Sequence, residues 1–358
     1  MSPARILDSL GLTFDDVVLV PRYSEVTSRF DKSISLQTRI TTHITLNYPI
    51  ISANMDSVTE LTMAQAMNDL GGLGIIHRFM GSNTQQSQLR TLIGPKVLCV
   101  GVGDGGKSRL TQIANQIDHF DAILIDVAHG DSSNVLDMIK FIEEELPYHD
   151  IIAGNVATAS GAERLWEAGA DCVKVGVGGG SVCSTRVKTG CGMPQLSAIL
   201  EVAERRDYLY PHKTLIADGG IRDSGDIVKC LAAGADAVMI GRLFAGCEES
   251  SAVKRQCNAD EVVLQRMPAR VAYYRGMASK EFQMEFFGEA TAIEGESVTL
   301  PMLGSVREIF QSLIHGILSG MSYQGAHDLL ELRTLATFKR QTPAGVTEGK
   351  PHALLIPK

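Results

Sequence analysis

Eight short apolar runs between residues 49 and 243 are the feature that most limits the possible fold of this chain. Each run has the length of a strand and shows no alternation with polar residues. Continuous apolar runs of this length are typical of strands that are buried on both faces. The runs cover residues 49–55, 73–77, 97–103, 122–130, 151–157, 172–178, 214–221 and 237–243.

Segments with helical spacing separate these runs. One apolar stripe extends from Leu61 to Leu70 and another from Val135 to Leu146. Eight strands alternating with helices predict a (β/α)8 TIM barrel. An open doubly wound sheet is the alternative, but such a sheet usually has fewer strands and a reversal point, which this order does not show. Further helices are predicted at 106–119, 160–169, 195–206 and 223–234.

The pattern is interrupted after the eighth run. Residues 244–300 include charged and glycine-containing stretches and are too long for a simple loop. Long insertions of this kind are often lids, and the alternative is a mobile surface excursion. We expect a single catalytic barrel domain over residues 1–358, with a flap at about 250–303. Outside the barrel we predict an extended lead-in at 12–21, helices at 304–318 and 323–335, and an irregular tail at about 341–358.

Charge and cysteine content argue against several classes of protein. The formal net charge is −8 and no basic cluster is present, so nucleic acid is not an expected partner. No apolar run reaches the roughly 18 residues of a membrane-spanning helix, and the first residues lack the basic and apolar regions of a secretory signal. The seven cysteines have no CxxC spacing, which predicts free thiols in a cytoplasmic protein.

Polar residues concentrate at the ends of the eight runs. In a barrel, catalytic side chains lie at the C-terminal ends of the strands. A cap or a loop would explain each residue alone, but their joint occurrence indicates an active site at that end. These positions carry Asn54, Asp56, His77, Arg78, Asp126, His129, Asn155, the loop Gly178–Cys183, Asp218–Gly220 and Gly241–Arg242.

The stretch after the sixth run is the strongest single candidate. Four glycines fall within Gly176–Gly180, and the thiol of Cys183 and the cation of Arg186 follow. Glycines after a strand let backbone groups turn towards an ion or a phosphate. A cysteine beside an arginine is well placed to act as a thiolate. Taken alone, a glycine-rich turn with an incidental thiol explains the stretch equally well.

Two glycine-bearing loops follow the seventh and eighth runs, at Asp218–Ile221 and Gly241–Arg242. In barrels this pair of loops commonly binds a phosphate. With Ser181 they predict a phosphomonoester site, and tight strand-to-helix turns are the alternative interpretation.

Two further features have competing interpretations. Lys174 lies within the sixth run, and a Schiff-base aldolase needs such a lysine, although a structural ion pair is the commoner role. The motif Asp126–Gly130 fits either the binding of a ribose or nicotinamide or acid–base chemistry. His77 and His129 have no metal-ligand spacing, so we predict no transition metal.

Several motifs together resemble the IMP dehydrogenase/GMP reductase family nearly end to end. The match over residues 174–196 is highly specific. The family fold is a (β/α)8 barrel, in agreement with the strand count, and no paired regulatory insertion of the CBS type is visible between the second and third strands. The other matching motifs are Leu12–Pro21, Asn54–Thr59, Gly154–Val156, Asp218–Ile221 and Tyr274–Met277.

The resemblance implies a covalent mechanism. Cys183 would attack C2 of a purine nucleoside 5′-monophosphate to form a thioimidate, and a hydride would move between C2 and a nicotinamide. The implied nucleotide-binding residues are Ser181, Asp218, Gly219, Gly220, Gly241, Arg242, Tyr274, Gly276 and Met277, and the implied cofactor-binding residues are Arg78, Asp126, Ala128 and His129. The backbone carbonyls of Gly178, Gly180 and Cys183 match a monovalent-cation site for K⁺, although Gly179 replaces the proline usual in the family.

Two opposite reactions share this scaffold, and the flap distinguishes them. The dehydrogenase hydrolyses the thioimidate with water activated by an Arg–Tyr pair, but residues 276–306 contain neither arginine nor tyrosine. The reductase uses a Thr–Glu pair, which Thr185 and Glu294 match. We therefore predict a GMP reductase of divergent type that uses NADPH to convert GMP into IMP and ammonia, with Cys183, Thr185 and Glu294 as catalytic residues.

Other features keep alternatives open. Three segments are more typical of dehydrogenases: Gly71–Arg78, Tyr274–Met277 and the tail from Pro343 to His352. Oxidation of IMP to XMP with NAD⁺ is therefore the second hypothesis. A non-catalytic barrel that binds purine nucleotides is the third, and the joint presence of the three catalytic residues argues against it. The sequence does not distinguish NADPH from NADH, or a ribonucleotide from a deoxyribonucleotide. A homotetramer is implied by the resemblance alone.

Overall fold

The structure is a computed structural model that describes residues 6–7, 9–263, 265–291 and 293–351. Its strands are β1 (Val17–Leu19), β2 (Thr38–Arg39), β3 (Thr45–Leu46), β4 (Ile50–Ser52), β5 (Leu73–Gly74), β6 (Val97–Val100), β7 (Ala122–Asp126), β8 (Asp150–Val156), β9 (Cys172–Val175), β10 (Thr214–Asp218), β11 (Ala237–Ile240), β12 (Lys254–Gln256), β13 (Arg270–Arg275), β14 (Ser297–Pro301) and β15 (Phe338–Arg340). Its α-helices are α1 (Leu61–Asp69), α2 (Ser82–Thr91), α3 (Gly103–Ala114), α4 (Ser133–Glu145), α5 (Ala159–Glu167), α6 (Thr185–Thr189), α7 (Gln195–Leu209), α8 (Ser224–Ala232), α9 (Arg242–Ala245), α10 (Ala259–Val263), α11 (Lys280–Phe287), α12 (Val306–Gln324), α13 (Leu329–Leu335) and α14 (Pro343–Glu348).

Eight parallel strands form the central sheet, in the order β5-β4-β11-β10-β9-β8-β7-β6. The first and last of the eight along the chain, β4 and β11, pair directly, with Ile51 opposite Met239. The sheet therefore curls back on itself, as closure into a barrel requires. Each of the eight strands overlaps one of the eight apolar runs, and the predicted (β/α)8 barrel is confirmed.

Alternate residues of the barrel strands face two separate cores. In β6, Val97 and Cys99 belong to the cluster inside the barrel, whereas Leu98 and Val100 belong to the cluster beneath the helices. Successive side chains of a strand point to opposite faces, so a strand buried on both faces is apolar at every position. This is the physical origin of the eight continuous runs.

A short hairpin closes the N-terminal end of the barrel. Its strands β2 and β3 pair antiparallel, and Ile40, Ile44 and Leu46 are buried in the inner cluster. Thr38 Oγ1 donates a hydrogen bond to the carbonyl of Asp236 at 2.8 Å. Apolar residues have no clear regular spacing in this segment, because the hairpin contributes only a few side chains to a core that consists mainly of barrel strands.

Helix α2 lies in a segment where the sequence predicts no helix. Its buried residues are Gln85, Gln86 and Leu89, and Gln85 Nε2 donates to the carbonyl of Cys99 at 2.8 Å. A polar side chain is readily buried when it is hydrogen-bonded, so an apolar period does not reveal this helix. Across the described ranges, the helices are too short or too polar to cross a bilayer.

The prediction of an irregular tail is wrong for Pro343–Glu348, which forms α14. The Thr342 side chain accepts a hydrogen bond from the Gly345 amide, and proline is favourable in the first turn of a helix. Just before this helix, β15 pairs antiparallel with β1, with Val17 opposite Arg340. The last residues of the predicted tail, 352–358, lie outside the described residues.

The flap, residues 250–303, contains its own antiparallel sheet of β12, β13 and β14. Strand β13 is central, with Tyr273 opposite Thr299 in the neighbouring strand β14. At the end of β13, Arg275 Nε donates to Asp56 Oδ2 at 2.8 Å. Because Asp56 follows β4, this ion pair holds the flap sheet at the C-terminal end of the barrel.

Candidate active site

A cavity of about 630 Å³ lies between the C-terminal ends of the barrel strands and the flap. It is at the end of the barrel where the sequence places the site. The predicted site residues that line it are Arg78, Asp126, Ala128, Gly178, Gly180, Ser181, Cys183, Thr185, Asp218, Gly219, Gly220, Gly241, Arg242, Tyr274, Gly276, Met277 and Glu294.

Glycines allow the loop after β9 to pass very close to neighbouring backbone. Gly176 has a φ of +148°, and a Cβ there would lie 2.0 Å from the carbonyl oxygen of Asp218. Gly178 has a φ of +79°, in the left-handed region that side chains disfavour. This course of the loop brings Cys183 to the cavity, where it is exposed. The neighbouring Val182 is buried.

Three side chains form a hydrogen-bonded relay in the cavity. The thiol of Cys183 donates to Thr185 Oγ1 at 3.2 Å. The Thr185 hydroxyl in turn donates to Glu294 Oε2 at 2.9 Å. A nucleophile therefore lies one hydroxyl away from a carboxylate, which is the arrangement that covalent catalysis with proton transfer needs.

Backbone pairing between the catalytic loop and the flap positions Glu294. The amide of Ser184 donates to the Glu294 carbonyl at 2.8 Å, and the amide of Glu296 donates to the Val182 carbonyl at 2.8 Å. Between them, Gly295 bridges to Cys183, and a Cβ on Gly295 would lie 2.8 Å from the Ser279 nitrogen. The glycine after Glu294 is thus required for this close approach.

The glycine loops after β10 and β11 both line the cavity, and the second of them lies beside Tyr274. Gly219 and Gly220 have φ values of +95° and +80°, and a Cβ on Gly241 would lie 2.7 Å from the Tyr274 hydroxyl. Burial raises the pKa of Tyr274 to about 12, so its phenol stays protonated and can donate a hydrogen bond. Arg242 is exposed at this end of the cavity and has no ion-pair partner among the described residues. The set suits a phosphate group.

Lys174 joins two carboxylates in the cavity wall. It is only 3% exposed, and its Nζ lies 2.8 Å from Asp218 Oδ2 and 3.3 Å from Asp126 Oδ1. Burial alone would lower the pKa of Lys174, but the charges of Asp218 and Asp126 outweigh it and raise that pKa. The protonated ammonium is not nucleophilic, so the geometry favours the structural ion pair over an aldolase Schiff base.

Comparison with known proteins agrees with this arrangement. A model of the IMP dehydrogenase / GMP reductase domain matches residues 11–352. The chain belongs to the IMP dehydrogenase/GMP reductase family. It is 32% identical to the inosine-5′-monophosphate dehydrogenase of Nitrosopumilus maritimus, over 97% of this chain and 99% of that protein. It is 35% identical to the enzyme of the same name from Borreliella burgdorferi, over 96% of each.

The IMP dehydrogenase/GMP reductase family is a family of oxidoreductases. The relatives include the inosine-5′-monophosphate dehydrogenase of Staphylococcus aureus, at 31% identity over 97% of each chain. All three of these relatives are named inosine-5′-monophosphate dehydrogenase.

Two histidines at strand ends do not line the cavity. His129, which the family resemblance assigns to the cofactor, is exposed and lies outside the cavity wall. His77 is buried, with its Nε2 3.4 Å from Glu60, and its Nδ1 accepts the amide of Phe79 at 3.0 Å. A position directly after a strand does not by itself place a side chain in the cavity, because the direction of the side chain depends on the turn that follows.

The loop offers a monovalent cation a poor fit. The Gly180 carbonyl already accepts the Cys183 amide at 3.1 Å. The Arg186 side chain packs against Gly178, and its guanidinium donates to the carbonyls of Met193 and Val177. A fixed positive charge beside the loop repels a second cation, so we assign no step to K⁺.

Several cavity residues have no individual role assigned from the sequence. Asn155 Nδ2 donates to Asp218 Oδ2 at 2.9 Å, which orients that carboxylate. Thr13 and Phe14 line the cavity from the N-terminal segment, and Phe282 and Phe287 line it from α11. Asn155 is detectable as a polar residue at a strand end, whereas the others reach the site through long-range packing that carries no local signal.

Replacing Lys174 with methionine is expected to lower the free energy of unfolding by about 3–5 kcal/mol. The variant leaves the half-buried carboxylates of Asp126 and Asp218 without the ammonium group that lies between them. Chemical denaturation of the purified variant measures the loss. Lys140→Met is the matched control, because Lys140 is 77% exposed in its pair with Glu144 and should change stability by at most about 0.5 kcal/mol. Equal stability of the two variants would contradict the assigned role of Lys174.

Proposed function

We propose that this protein is a GMP reductase, which converts GMP into IMP and ammonia with a reduced nicotinamide cofactor. The observation that carries the proposal is the relay from Cys183 through Thr185 to Glu294. It provides a nucleophile and a proton-transfer pair at one point of the cavity. The flap supplies the carboxylate but has no arginine or tyrosine between residues 276 and 306 to activate a water molecule.

The purine nucleotide is expected to bind with its phosphate at the glycine loops. The amides of the loops around Gly220 and Gly241, the Tyr274 phenol and the Arg242 guanidinium all present donors or positive charge at that end. Asp218 has Oδ2 engaged by Lys174 and Asn155, so its Oδ1 is available to accept a ribose hydroxyl. This orientation would place the base towards Cys183.

In the first chemical stage, the Cys183 thiolate forms a bond to C2 of guanine. The exocyclic amine then leaves C2 as ammonia, and the purine remains attached through a thioimidate. The departing amine must gain a proton. Glu294, which takes up a proton from solution in each turnover, passes it on through the Thr185 hydroxyl, because the two side chains are joined by a 2.9 Å hydrogen bond.

In the second stage, the purine C2 gains a hydride and the bond to Cys183 breaks. A bound dihydronicotinamide would supply that hydride. The released thiolate again lies beside the Thr185 hydroxyl, and the product is IMP. Overall, GMP, NADPH and two protons give IMP, NADP⁺ and ammonium, so charge and hydrogen balance.

The cavity has polar atoms that fit such a cofactor. Asn155 Oδ1 and Arg78 Nε are buried without a hydrogen-bond partner in the described structure, and both residues line the cavity. Unpaired buried polar atoms are costly unless a ligand or water satisfies them. Arg78 Nε lies 3.9 Å from Asp126 Oδ2, so this wall offers both a donor and acceptors. Arg78, Asp126 and Ala128 would hold the nicotinamide end.

Oxidation of IMP to XMP with NAD⁺ is the second candidate. The names of the relatives from Nitrosopumilus maritimus, Borreliella burgdorferi and Staphylococcus aureus favour it. It requires a water-activating group, and the Thr185–Glu294 pair is the nearest acid–base system to Cys183 in the described cavity. We place the reductase first because that pair directly serves the loss of an amine.

A paired spectrophotometric assay tests the proposal. We expect the absorbance of NADPH to fall when GMP is added, with ammonia and IMP formed in equal amounts. NADH in place of NADPH reports the cofactor preference. Formation of NADH from IMP and NAD⁺, without consumption of NADPH by GMP, would establish the dehydrogenase instead. Binding of GMP without turnover in either direction would show a non-catalytic barrel.

A further inference from the structure

Four phenylalanine rings form a cluster where flap helix α11 meets the loop after β5. We call Phe79, Phe282, Phe286 and Phe287 the phenylalanine cluster. Phe79 and Phe282 are edge-to-face with ring centres 4.9 Å apart. Phe282 and Phe286 are stacked at 5.5 Å, and Phe287 lies edge-on to Phe286 at 5.1 Å. Rings at these separations attract one another, so the cluster joins the flap to the barrel.

Two members of the cluster are exposed. Phe287 is 62% exposed and Phe286 is 41% exposed, and among the described phenylalanines only Phe30 is comparably exposed. Exposed large apolar side chains grouped together usually mark a binding surface. Phe287 and Phe282 also line the active-site cavity. The exposed rings are therefore continuous with the active-site cavity. A ligand that binds in the cavity can reach them.

Arginines hold the rings in place. The Arg78 guanidinium lies 4.4 Å from the centre of the Phe79 ring, and that of Arg275 lies 5.4 Å from the centre of the Phe282 ring. Arg275 is itself fixed by ion pairs to Asp56 and Glu285. A preorganised aromatic surface binds a flat ligand with little loss of conformational entropy.

We propose that the phenylalanine cluster stacks on a flat heteroaromatic ring of the nicotinamide dinucleotide. The inference rests on the proposed function, because it assumes that a dinucleotide shares the cavity with the purine substrate. The occupant follows from position: Arg78 lies next to Phe79 in the chain and, with Asp126, forms the cavity wall assigned above to the cofactor. Either the adenine or the nicotinamide has the required flat π surface, and Phe287 is the exposed contact.

Calorimetric titration with NADPH tests the inference. Phe287→Ala is expected to weaken NADPH binding about 10-fold, the usual scale for loss of one stacked ring, and Phe287→Tyr is expected to restore binding. GMP affinity and the alkylation rate of Cys183 should stay unchanged. Met284→Ala is the control, because Met284 is 49% exposed on the same helix and is not among the residues that line the cavity.

Two fragments identify the ring. If adenine stacks on the cluster, Phe287→Ala weakens binding of 2′,5′-ADP and leaves reduced nicotinamide mononucleotide unaffected. If the nicotinamide stacks there, the result is reversed. Unchanged affinity of both fragments and of NADPH would overturn the inference while leaving the reductase proposal intact. If the unmodified protein binds no NADPH but does bind and oxidise IMP with NAD⁺, the proposed function fails first, and the same titration with NAD⁺ then decides the inference.

Discussion

Replacing Cys183 with alanine is expected to abolish turnover, with kcat reduced by more than about a thousand-fold. Without the sulfur, no covalent bond to the purine C2 forms, and amine loss and hydride addition lose their shared intermediate. GMP should still bind with nearly unchanged affinity, because the phosphate and ribose contacts lie on other loops. Steady-state assay and GMP titration on one preparation separate these effects.

A second thiol, on the other side of helix α6, provides the matched control. Cys191 is also exposed, and within the described residues its sulfur has a local contact, with the carbonyl of Thr189 at 3.8 Å. Cys191→Ala should therefore retain nearly full activity. In the unmodified protein, incubation with GMP should protect Cys183 from iodoacetamide, as followed by mass spectrometry. Residual activity of Cys183→Ala above a few per cent would contradict covalent catalysis.

Replacing Glu294 with glutamine is expected to reduce kcat by about 10²–10⁴-fold. Glutamine can still accept the hydrogen bond from Thr185, but it cannot supply a proton to the departing amine. Nucleophilic attack should be less affected than ammonia release. Rapid-quench measurement should therefore show that the step releasing ammonia, and not hydride addition, has become the slowest.

The neighbouring carboxylate gives a control for this variant. Glu296 is exposed, and its backbone amide, not its side chain, pairs with the Val182 carbonyl. Glu296→Gln should therefore leave the rate of ammonia release nearly unchanged. Equal rates for Glu294→Gln and the unmodified protein would remove Glu294 from the mechanism and leave Thr185 without its proton source.

The barrel was predictable from the sequence because its signal is local. Strands buried on both faces must be apolar at successive positions, and all eight such runs became barrel strands. The hairpin β2–β3 and helix α2 were not predictable in this way. Their stability comes from contacts with distant elements, such as the hydrogen bond from Gln85 to the carbonyl of Cys99, and these contacts leave no period in the sequence.

The candidate site was predictable in part. Glycine loops and polar residues at strand ends located it, and family motifs singled out Cys183, Thr185 and Glu294. The same reasoning assigned His129 to the cofactor, and this stays a prediction, because His129 is exposed and is not among the residues that line the cavity. A position directly after a strand determines at which end of the barrel a residue lies. The direction of its side chain depends on the dihedral angles of the following turn.

The sequence by itself determined the barrel, the glycine-rich loop that carries Cys183 and the absence of arginine and tyrosine between residues 276 and 306. Only the tertiary structure decided which groups meet. It placed Glu294, 109 residues from Thr185, at 2.9 Å from the threonine hydroxyl, and it set Lys174 between two carboxylates from other strands. The reason is geometric. Composition and the spacing of apolar residues report only on residues that are close along the chain. These contacts instead depend on the closure of the barrel and on the pairing of the flap with the catalytic loop.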